Sequence, residues 1–305
     1  MNISLFLQPF KVVSWDHFGA NAPAKSIALD GYVAGPLRRT ATHINFNHHE
    51  DVDRIGTRCS SLQVMVALKG GLLEWLAGET PNVFANDCDH DVCLATWLPE
   101  HRLEFVNERS EPLISRMSWA VDMLDTFAGA YPLDPAEEIY EQVSWSFASY
   151  SRARQNGTLH IMNADGMRGI ILDCQARMDK YRLGKAERQR ADTRFNIVHS
   201  GNGWVLVEEH GIDARSAMRA KSIDGFVRIR ESNGKTVVSV GKLKPLSRFP
   251  VKPILVALNL AEGIADAQAD RYDGSDTIGG SPRRRGCGLT KSQLIQVVDT
   301  VVRQT

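Results

Sequence analysis

The chain has 305 residues, and its 36 Lys+Arg balance its 36 Asp+Glu. Zero net charge argues against a protein that coats nucleic acid or an acidic membrane surface. No run approaches the roughly 18 apolar residues of a membrane-spanning helix, and the N-terminus lacks the features of a signal peptide. The five cysteines are odd in number and form no CxxC pair. These features predict a cytoplasmic protein with reduced thiols and no membrane partner.

Strand and helix patterns alternate in the first half of the sequence. Short strands are predicted at residues 11–14, 43–46 and 83–85. Residues 62–76 are apolar enough for a buried helix, which Gly70-Gly71 can divide, and another helix is predicted to start within residues 92–98. Strands that alternate with helices favour a parallel sheet.

The second half is predicted to be helical first and then rich in hairpins. The expected helices are residues 112–127, 135–154 with Asp134 as N-cap, 165–188 capped by Asp165, 253–268, and 290–303 capped by Thr290. The expected hairpins pair residues 195–199 with 204–208, and 225–230 with 236–240 around Asn233-Gly234.

These elements predict an α/β fold class, with a parallel-sheet N-terminal domain and a smaller α+β C-terminal domain. The expected boundaries are residues 1–130 for an α/β metal-binding domain, 131–190 for a helical connection, and 191–305 for an α+β substrate-binding domain with a Gly/Arg-rich loop. A homo-oligomer is compatible with this plan, because the sequence does not constrain the oligomeric state.

A dense group of imidazoles and carboxylates follows the predicted strand at 43–46. It comprises His48, His49, Asp51 and Asp53. Imidazole and carboxylate together suit Mn, Fe or Zn, whereas carboxylate alone suits Mg or Ca. The alternative interpretation is a solvated polar turn. We expect a metal site here, with Asp53 as a candidate proton acceptor for a water molecule.

A second acidic group follows the predicted strand at 83–85. Asp87, Asp89 and Asp91 alternate along the chain, and at a strand-to-helix turn they can converge on one cation. An EF-hand loop is excluded, because Val92 and Leu98 occupy the positions that need Gly and Glu. Helix capping by Asp91 is the alternative, and it explains one acid better than three. His90 lies within this group and is a second candidate proton acceptor.

Two further segments carry weaker patterns of the same kind. Asp16-His17 follows the first predicted strand, and open α/β sheets place their sites at the carboxyl ends of strands. A histidine packed in the core is the commoner reading of such a pair. Asp30-Gly31 is interpreted as a turn.

A glycine- and arginine-rich segment lies near the C-terminus. In it, Gly279-Gly280-Ser281 is followed by Arg283-Arg284-Arg285. Glycines let backbone N–H groups approach an anion, and arginines donate two hydrogen bonds to phosphate or carboxylate. It is not a Walker A loop, because no Gly-Lys-Ser/Thr follows the glycines. A flexible basic surface loop is the alternative to an anion-binding site.

Together these patterns resemble the DHH-type phosphoesterases, which carry an Asp-His-His motif after a strand. Phe46-Asn47-His48-His49 is similar to that motif, the segment 87–91 is similar to the family's Asp-rich turn, and Gly279-Gly280-Ser281 with Arg283 is similar to its C-terminal loop. The resemblance implies two Mn²⁺ ions bound by clustered Asp and His, and a smaller domain that brings the loop to the substrate phosphate. Here Asn47 replaces the motif's Asp, the Asp-rich turn follows the His pair instead of preceding it, and the C-terminal loop lacks the family's histidine.

The resulting hypothesis is a metal-dependent hydrolase that acts on a small anionic substrate, in particular a phosphoester. One or two divalent ions, Mn²⁺ by preference, are expected among Asp16, His17, His48, His49, Asp51, Asp87, Asp89 and Asp91. Asp53 or His90 would accept the proton, and Gly279, Gly280, Ser281 and Arg283 would bind the substrate. Two alternatives remain open: a hydrolase or lyase that acts on a carboxylate or amide, and a ligand-binding protein without catalysis. Nucleic acid is disfavoured as a substrate, because no basic-aromatic stripe is present.

Overall fold

The computed structural model describes residues 2–106, 111–232, 234–265, 268 and 270–305. The protein is of mixed α/β type and contains two mixed β-sheets. It divides into two compact units: Met1–Thr126 with Glu137–Arg190, and Phe127–Ala136 with Ala191–Thr305. The expected helical connection at 131–190 is therefore divided, and most of it belongs to the first unit.

The sheet of the first unit contains five strands. They are β1 (Ser4–Leu7), β2 (Ser26–Leu29), β3 (Arg38–Arg39), β4 (His43–Phe46) and β5 (Asn82–Ala85). The spatial order is β1-β5-β2-β4-β3, in which β3 alone runs antiparallel to its neighbour. The bounds of β4 agree with the prediction, and β5 contains the predicted strand. The strand predicted at 11–14 is wrong, because Val13 makes only an isolated bridge to Val33.

Eight α-helices of the described residues belong to the first unit. They are α1 (Trp15–Asn21), α2 (Ser60–Lys69), α3 (Leu72–Leu76), α4 (His90–His101), α5 (Pro112–Thr126), α6 (Glu138–Ser146), α7 (Ala148–Gln155) and α8 (Ala164–Arg182). The division at Gly70-Gly71 is confirmed, and Gly71 has a φ of 103°. The single helix predicted at 135–154 is wrong, because the chain bends at the buried Phe147. Asn163, and not Asp165, caps α8, and its side chain accepts from Gly166 N–H.

The second unit is built on a six-stranded sheet with helices on both faces. Its elements are β6 (Phe195–Ser200), β7 (Trp204–Glu209), α9 (Ala214–Ala220), β8 (Gly225–Ser232), β9 (Lys235–Lys242), α10 (Val251–Ala261), β10 (Asp273–Gly274), β11 (Ile278–Gly280) and α11 (Lys291–Gln304). The order is β10-β11-β9-β8-β7-β6, and only the pair β7 and β8 is parallel. Along β7, Trp204 and Leu206 pack on the side of α10 and α11, while Val205 and Val207 pack with Met218 of α9.

Both predicted hairpins and the capping of the last helix are confirmed. Strands β6 and β7 pair antiparallel, as do β8 and β9, and Thr290 forms a complete capping box with Gln293. Asn233 of the expected Asn-Gly turn lies outside the described residues, as do 266 and 267 of the helix expected at 253–268. In the part of the chain that the structure describes, no helix combines the length and apolar character that a membrane crossing requires.

Candidate metal centre

Three chain segments bring polar side chains to one edge of the first sheet. Strands β5, β2 and β4 are parallel neighbours, so their carboxyl ends meet at the same edge. Asp30 follows β2 directly, His48 and His49 follow β4, and the acidic segment 87–91 follows β5. This edge is where open α/β sheets place their ligand sites.

His48 is the centre of this group. Its buried Nε2 atom lies 2.9 Å from Asp125 Oδ2, 3.4 Å from Asp30 Oδ1 and 3.9 Å from Asp91 Oδ2. Neither Nε2 nor Asp125 Oδ2 makes a hydrogen bond within the described residues, although the two atoms are close. Three carboxylates from three segments therefore converge on one imidazole nitrogen, at ion-pair distances but without a well-aligned hydrogen bond.

His49 joins the same group from the more exposed side. Its Nε2 lies 2.7 Å from Asp30 Oδ1, and the rings of His48 and His49 are 4.6 Å apart. Gly31, with a φ of 81°, passes beneath the ring, and a Cβ there would lie 3.3 Å from His49 Cδ2. Glycine at this position thus allows the close approach of Asp30 to both imidazoles.

Asn47 fixes the backbone of the two histidines. Its Oδ1 accepts from the N–H groups of His48 (2.8 Å) and His49 (3.1 Å), while its Nδ2 donates to Gly35 O (2.8 Å) and Glu50 Oε2 (2.8 Å). A carboxylate could accept the first two hydrogen bonds but could not donate the others. The amide that replaces the expected Asp therefore has a positioning role that an Asp could not fill unchanged.

Asp91 links the acidic segment to the start of α2. Its two carboxylate oxygens accept from the backbone N–H groups of Ser60 (2.6 Å) and Ser61 (2.7 Å). These N–H groups lie in the first turn of α2, where no preceding helical carbonyl can accept their hydrogen bonds. The positive end of the helix dipole also favours a carboxylate at this position. Asp91 is fully buried, so this contact fixes its position relative to His48.

Helix α5 contributes two acids that the sequence analysis did not select. Asp125 approaches His48, while Asp122, one turn earlier, accepts from Cys59 N–H at 2.7 Å and from Arg58. Asp30 also belongs to the cluster although the sequence pattern was interpreted as a turn. The available indication for α5 was a pair of acids at i and i+3 in the helix predicted at 112–127.

The electrostatics of the cluster show strong coupling between imidazoles and carboxylates. Burial would lower the pKa of His48, but Asp125 and Asp30 raise it to about 10. Asp30 raises the pKa of His49 against the effect of burial. Burial would raise the pKa of Asp30 and of Asp125. His49 and His48 nevertheless hold the pKa of Asp30 below its ordinary value, and His48 and Arg54 do the same for Asp125.

The remaining acids show that negative charge is concentrated here. Burial and then the carboxylates of Asp30, Asp87, Asp125 and Asp91 raise the pKa of Asp89 well above its ordinary value. Burial, Asp30 and Asp125 likewise raise the pKa of Asp91 to about 6. One oxygen of Asp89 also caps α4 by accepting from Val92 N–H at 2.9 Å.

The ligand atoms of five residues are close enough to hold a cation. Asp30, His48 and His49 form one set, and His48, Asp91 and Asp125 form another, each with its atoms within 4.8 Å of one another. Of the expected ligands, the structure thus brings His48, His49 and Asp91 together. The carboxylates of this group and that of Asp87 are close enough to Asp89 to raise its pKa.

Other expected ligands lie elsewhere, which corrects the sequence-based set. In the described ranges, neither set of potential ligand atoms includes Asp16, His17, Asp51, Asp87 or Asp89. Asp16 and His17 occupy the exposed first turn of α1, where Ser14 caps the His17 N–H. Asp51 is exposed in a left-handed turn, with a φ of 56°.

The two expected proton acceptors differ in their surroundings. Asp53 is exposed, and its carboxylate accepts from Ile55 N–H at 2.9 Å in a local turn. His90 packs against Phe147 and Tyr150, and burial followed by the charge of Arg154 lowers its pKa to about 4. His90 is therefore neutral near pH 7 and a weak proton acceptor.

The glycine- and arginine-rich segment belongs to the second unit and is largely ordered by backbone contacts. Gly279 and Gly280 form β11, and Ser281 continues its pairing through contacts with Val238 at 2.8 Å and 3.1 Å. Arg283 is exposed in the turn that follows. The segment expected to bind an anion is thus partly a β-strand, in which a Cβ on Gly279 would collide with Leu255.

A scan against protein-family models found no match for this chain, and a search of curated proteins found none either.

Proposed function

We propose that the protein is a metal-dependent hydrolase that acts on a small anionic substrate, in particular a phosphoester. In this proposal the first unit is a parallel-sheet domain that holds the metal, and the second is a smaller α+β domain that binds the substrate. The proposal rests mainly on one observation. His48 Nε2 faces three carboxylates within 4 Å and makes no hydrogen bond within the described residues.

A bound cation explains this arrangement better than structural pairing does. Buried polar groups are normally hydrogen-bonded, because an unsatisfied one costs about 1–3 kcal/mol. Buried like charges repel, as the raised pKa of Asp89 indicates. A divalent cation would relieve both penalties, since it binds the imidazole lone pair and neutralises carboxylates.

The donor set favours Mn²⁺ or a related transition metal. Two imidazoles with carboxylates suit such ions, whereas Mg²⁺ and Ca²⁺ prefer oxygen alone. Asp30, His48, His49 and Asp125 would hold the ion. Both groups of potential ligands, Asp30 with His48 and His49 and His48 with Asp91 and Asp125, would use the single lone pair of His48 Nε2. His48 can therefore bind one ion only. A second ion would depend on the other carboxylates.

The protein's own residues supply rigidity and charge. Asn47 orients both histidines, and Asp91 and Asp122 tie α2 to the cluster through backbone N–H groups. Arg54 lies with its guanidinium 3.4 Å from His48 Nδ1 and is placed to compensate for the carboxylates. A bound divalent ion would supply Lewis acidity and lower the pKa of a water molecule.

We propose a phosphoester as the bond that is cleaved because the sequence resembles DHH-type phosphoesterases. We propose an anion site after β11 because three arginines follow that strand. In the proposal Arg283 binds the anionic end of the substrate beside Gly279, Gly280 and Ser281, of which Ser281 is already hydrogen-bonded to Val238. Arginine recognises carboxylate as well as phosphate, so hydrolysis of a carboxylate or amide is the competing reaction.

Calorimetric titration of the full chain with Mn²⁺ tests the metal site. We expect near-stoichiometric binding, and we expect His48→Ala and His49→Ala each to weaken it by more than tenfold, since each removes a ligand. His17→Ala is the matched control, because this exposed histidine lies outside the cluster, and it should bind Mn²⁺ as the parent does.

The reaction is tested on the Mn²⁺-loaded protein with a panel of phosphomonoesters and a panel of amides. Release of phosphate without ammonia supports the phosphoester assignment, and release of ammonia alone supports the competing reaction. Full Mn²⁺ retention in both cluster variants would exclude the proposed metal centre.

A further inference from the structure

One arginine of the first unit contacts the residues of the metal cluster. Arg54 belongs to the turns between β4 and α2, and its side chain is largely buried. Its Nη2 atom lies 3.9 Å from Asp125 Oδ2, 3.4 Å from His48 Nδ1 and 3.3 Å from the backbone oxygen of Asp125. The same Asp125 Oδ2 lies 2.9 Å from His48 Nε2. A carboxylate oxygen of the proposed metal centre therefore already faces a positive charge that belongs to the protein.

Arg54 is the permanent cation of this cluster. Among the described residues, no other lysine or arginine forms an ion pair with Asp30, Asp91 or Asp125. A guanidinium keeps its charge at every accessible pH, so it cannot neutralise itself as an imidazole can. One fixed positive charge thus faces the converging carboxylates, and it offsets part of their repulsion without any metal.

The contacts of Arg54 are those of a loosely held counter-ion. All of them within the described residues involve Nη2, at 3.3 Å or more, and the buried Nε has no acceptor there. Arg194 shows the firmer arrangement, since its Nε and Nη2 donate to Asp192 at 2.8 Å and 2.7 Å. A guanidinium that binds both oxygens of a carboxylate holds it more strongly. The interaction of Arg54 with Asp125 is therefore one that a stronger cation can replace.

We propose that Arg54 is an internal competitor of the metal ion: it offsets the carboxylates in metal-free protein and lowers the affinity of the cluster for a divalent cation. An ion held by His48 and Asp125 lies near a guanidinium that contacts both residues, and like charges at short range repel. Arg54 thereby makes the occupancy of the centre depend on the concentration of free metal. This inference rests on the proposed function, because it presupposes the metal centre.

Calorimetric titration of the full chain with Mn²⁺ tests the competition. We expect Arg54→Gln to bind Mn²⁺ about tenfold more tightly than the parent, because the repulsion by one nearby charge is removed. Arg54→Lys keeps the charge, so its affinity should stay close to that of the parent. Arg58→Gln is the matched control, because Arg58 lies in the same segment but pairs with Asp122, which belongs to neither set of potential ligands. Its affinity should change by less than about twofold.

Thermal unfolding separates competition from a purely structural role. A residue that only stabilised the fold would, on substitution, lower the unfolding temperature equally with a chelator and with Mn²⁺. We expect Arg54→Gln to lower it mainly with the chelator, because bound Mn²⁺ supplies the positive charge that the variant lacks. The rise in unfolding temperature on adding Mn²⁺ should therefore be larger in this variant than in the parent.

The outcomes distinguish this inference from the proposed function. If the parent binds Mn²⁺ and Arg54→Gln binds it equally or more weakly, the competition is excluded while the proposed metal centre stands. If the parent binds no Mn²⁺, both fail. Should Arg54→Gln fold neither with the chelator nor with Mn²⁺, Arg54→Met, which keeps the aliphatic part of the side chain, decides by the same titration.

Discussion

Each unit of the protein buries a polar cluster, and the two clusters balance their charges in different ways. In the second unit, Arg228 donates to the carboxylate of Glu209 and to Ser239 Oγ at 2.8 Å, so a buried cation faces a buried anion. In the first unit, His48 faces three carboxylates without a hydrogen bond in the described chain. A cation and an anion that face each other offset their charges, whereas converging carboxylates can still take up a cation. A buried charged group alone therefore does not identify a metal site. An excess of buried carboxylates over buried cations does.

The largest effect is expected where the matched pair is broken. Arg228→Met removes the buried cation that donates to Glu209, which should lower the free energy of unfolding by about 3–5 kcal/mol. Urea denaturation of the parent and the variant measures this difference.

The double variant Arg228→Met with Glu209→Leu is the control for this pair. Replacing both charged groups with apolar ones removes the buried carboxylate together with its donor, so most of the stability should return. A double variant as unstable as the single one would show that Arg228 does more than neutralise Glu209.

In the first unit, pH should control stability through His48. Its pKa rises from the ordinary 6.5 to about 10 on folding, so the protonated form stabilises the fold. This contribution is complete below pH 6.5 and is lost as the pH rises through 10. In metal-free protein, the stability difference between the parent and His48→Gln should shrink by a few kcal/mol from pH 6 to pH 10.

Urea denaturation in the presence of a chelator at several pH values checks this difference. A difference independent of pH would mean that His48 is neutral throughout. Because Mn²⁺ competes with the same proton, its affinity should rise with pH, and binding should release protons to the buffer.

Sequence patterns predicted the parts of the site that are contiguous in the chain. His48 and His49 follow a strand whose bounds were predicted correctly, and the acids at 87–91 follow another. Asp30 could not be separated from an ordinary Asp-Gly turn, because only the strand order β5-β2-β4 places it beside the histidines. Nothing in the sequence fixes that order.

Long-range packing explains the other differences. Asp125 meets His48 only through the docking of α5 against α2 and α4, which periodicity does not determine. The bend between α6 and α7 occurs at a buried Phe147, without the Gly or Pro that normally marks one. Asp16-His17 was expected at a strand end, but the chain there forms an exposed helix.

At Asn47 the cluster differs from the Asp-His-His motif by one atom, because an amide nitrogen stands where the motif's Asp has a carboxylate oxygen. Asn47→Asp would replace the donor Nδ2 with an oxygen that faces Gly35 O and the carboxylate of Glu50. We expect a loss of about 1–3 kcal/mol in the free energy of unfolding near pH 7, from lost hydrogen bonds and repulsion. Adding Mn²⁺ should reduce the loss if the new carboxylate can bind the ion.

Thermal unfolding of Asn47→Asp with and without Mn²⁺ measures both effects. Glu50→Gln in the same background is the informative control, because it removes the repulsion and should recover part of the stability. If Asn47→Asp is as stable as the parent without metal, the amide does not have the positioning role assigned to it.

The smallest effects are expected at Asp122, where one carboxylate makes two contacts of unequal value. Its Oδ1 accepts from the buried Cys59 N–H at 2.7 Å, while its Oδ2 accepts from Arg58, whose side chain is 60% exposed. Asp122→Ala leaves the N–H unsatisfied and should cost about 1–2 kcal/mol. Asp122→Asn keeps an acceptor and loses only the exposed ion pair, so its cost should stay below about 1 kcal/mol.

Chemical denaturation of the two variants, with Arg58→Gln as control, separates the contacts. We expect equal losses of stability in Asp122→Asn and Arg58→Gln, and a larger loss in Asp122→Ala. This result would show that the hydrogen bond at the start of α2 contributes more than the surface ion pair. The same hydrogen bond would then be what holds α5, and with it Asp125, beside His48.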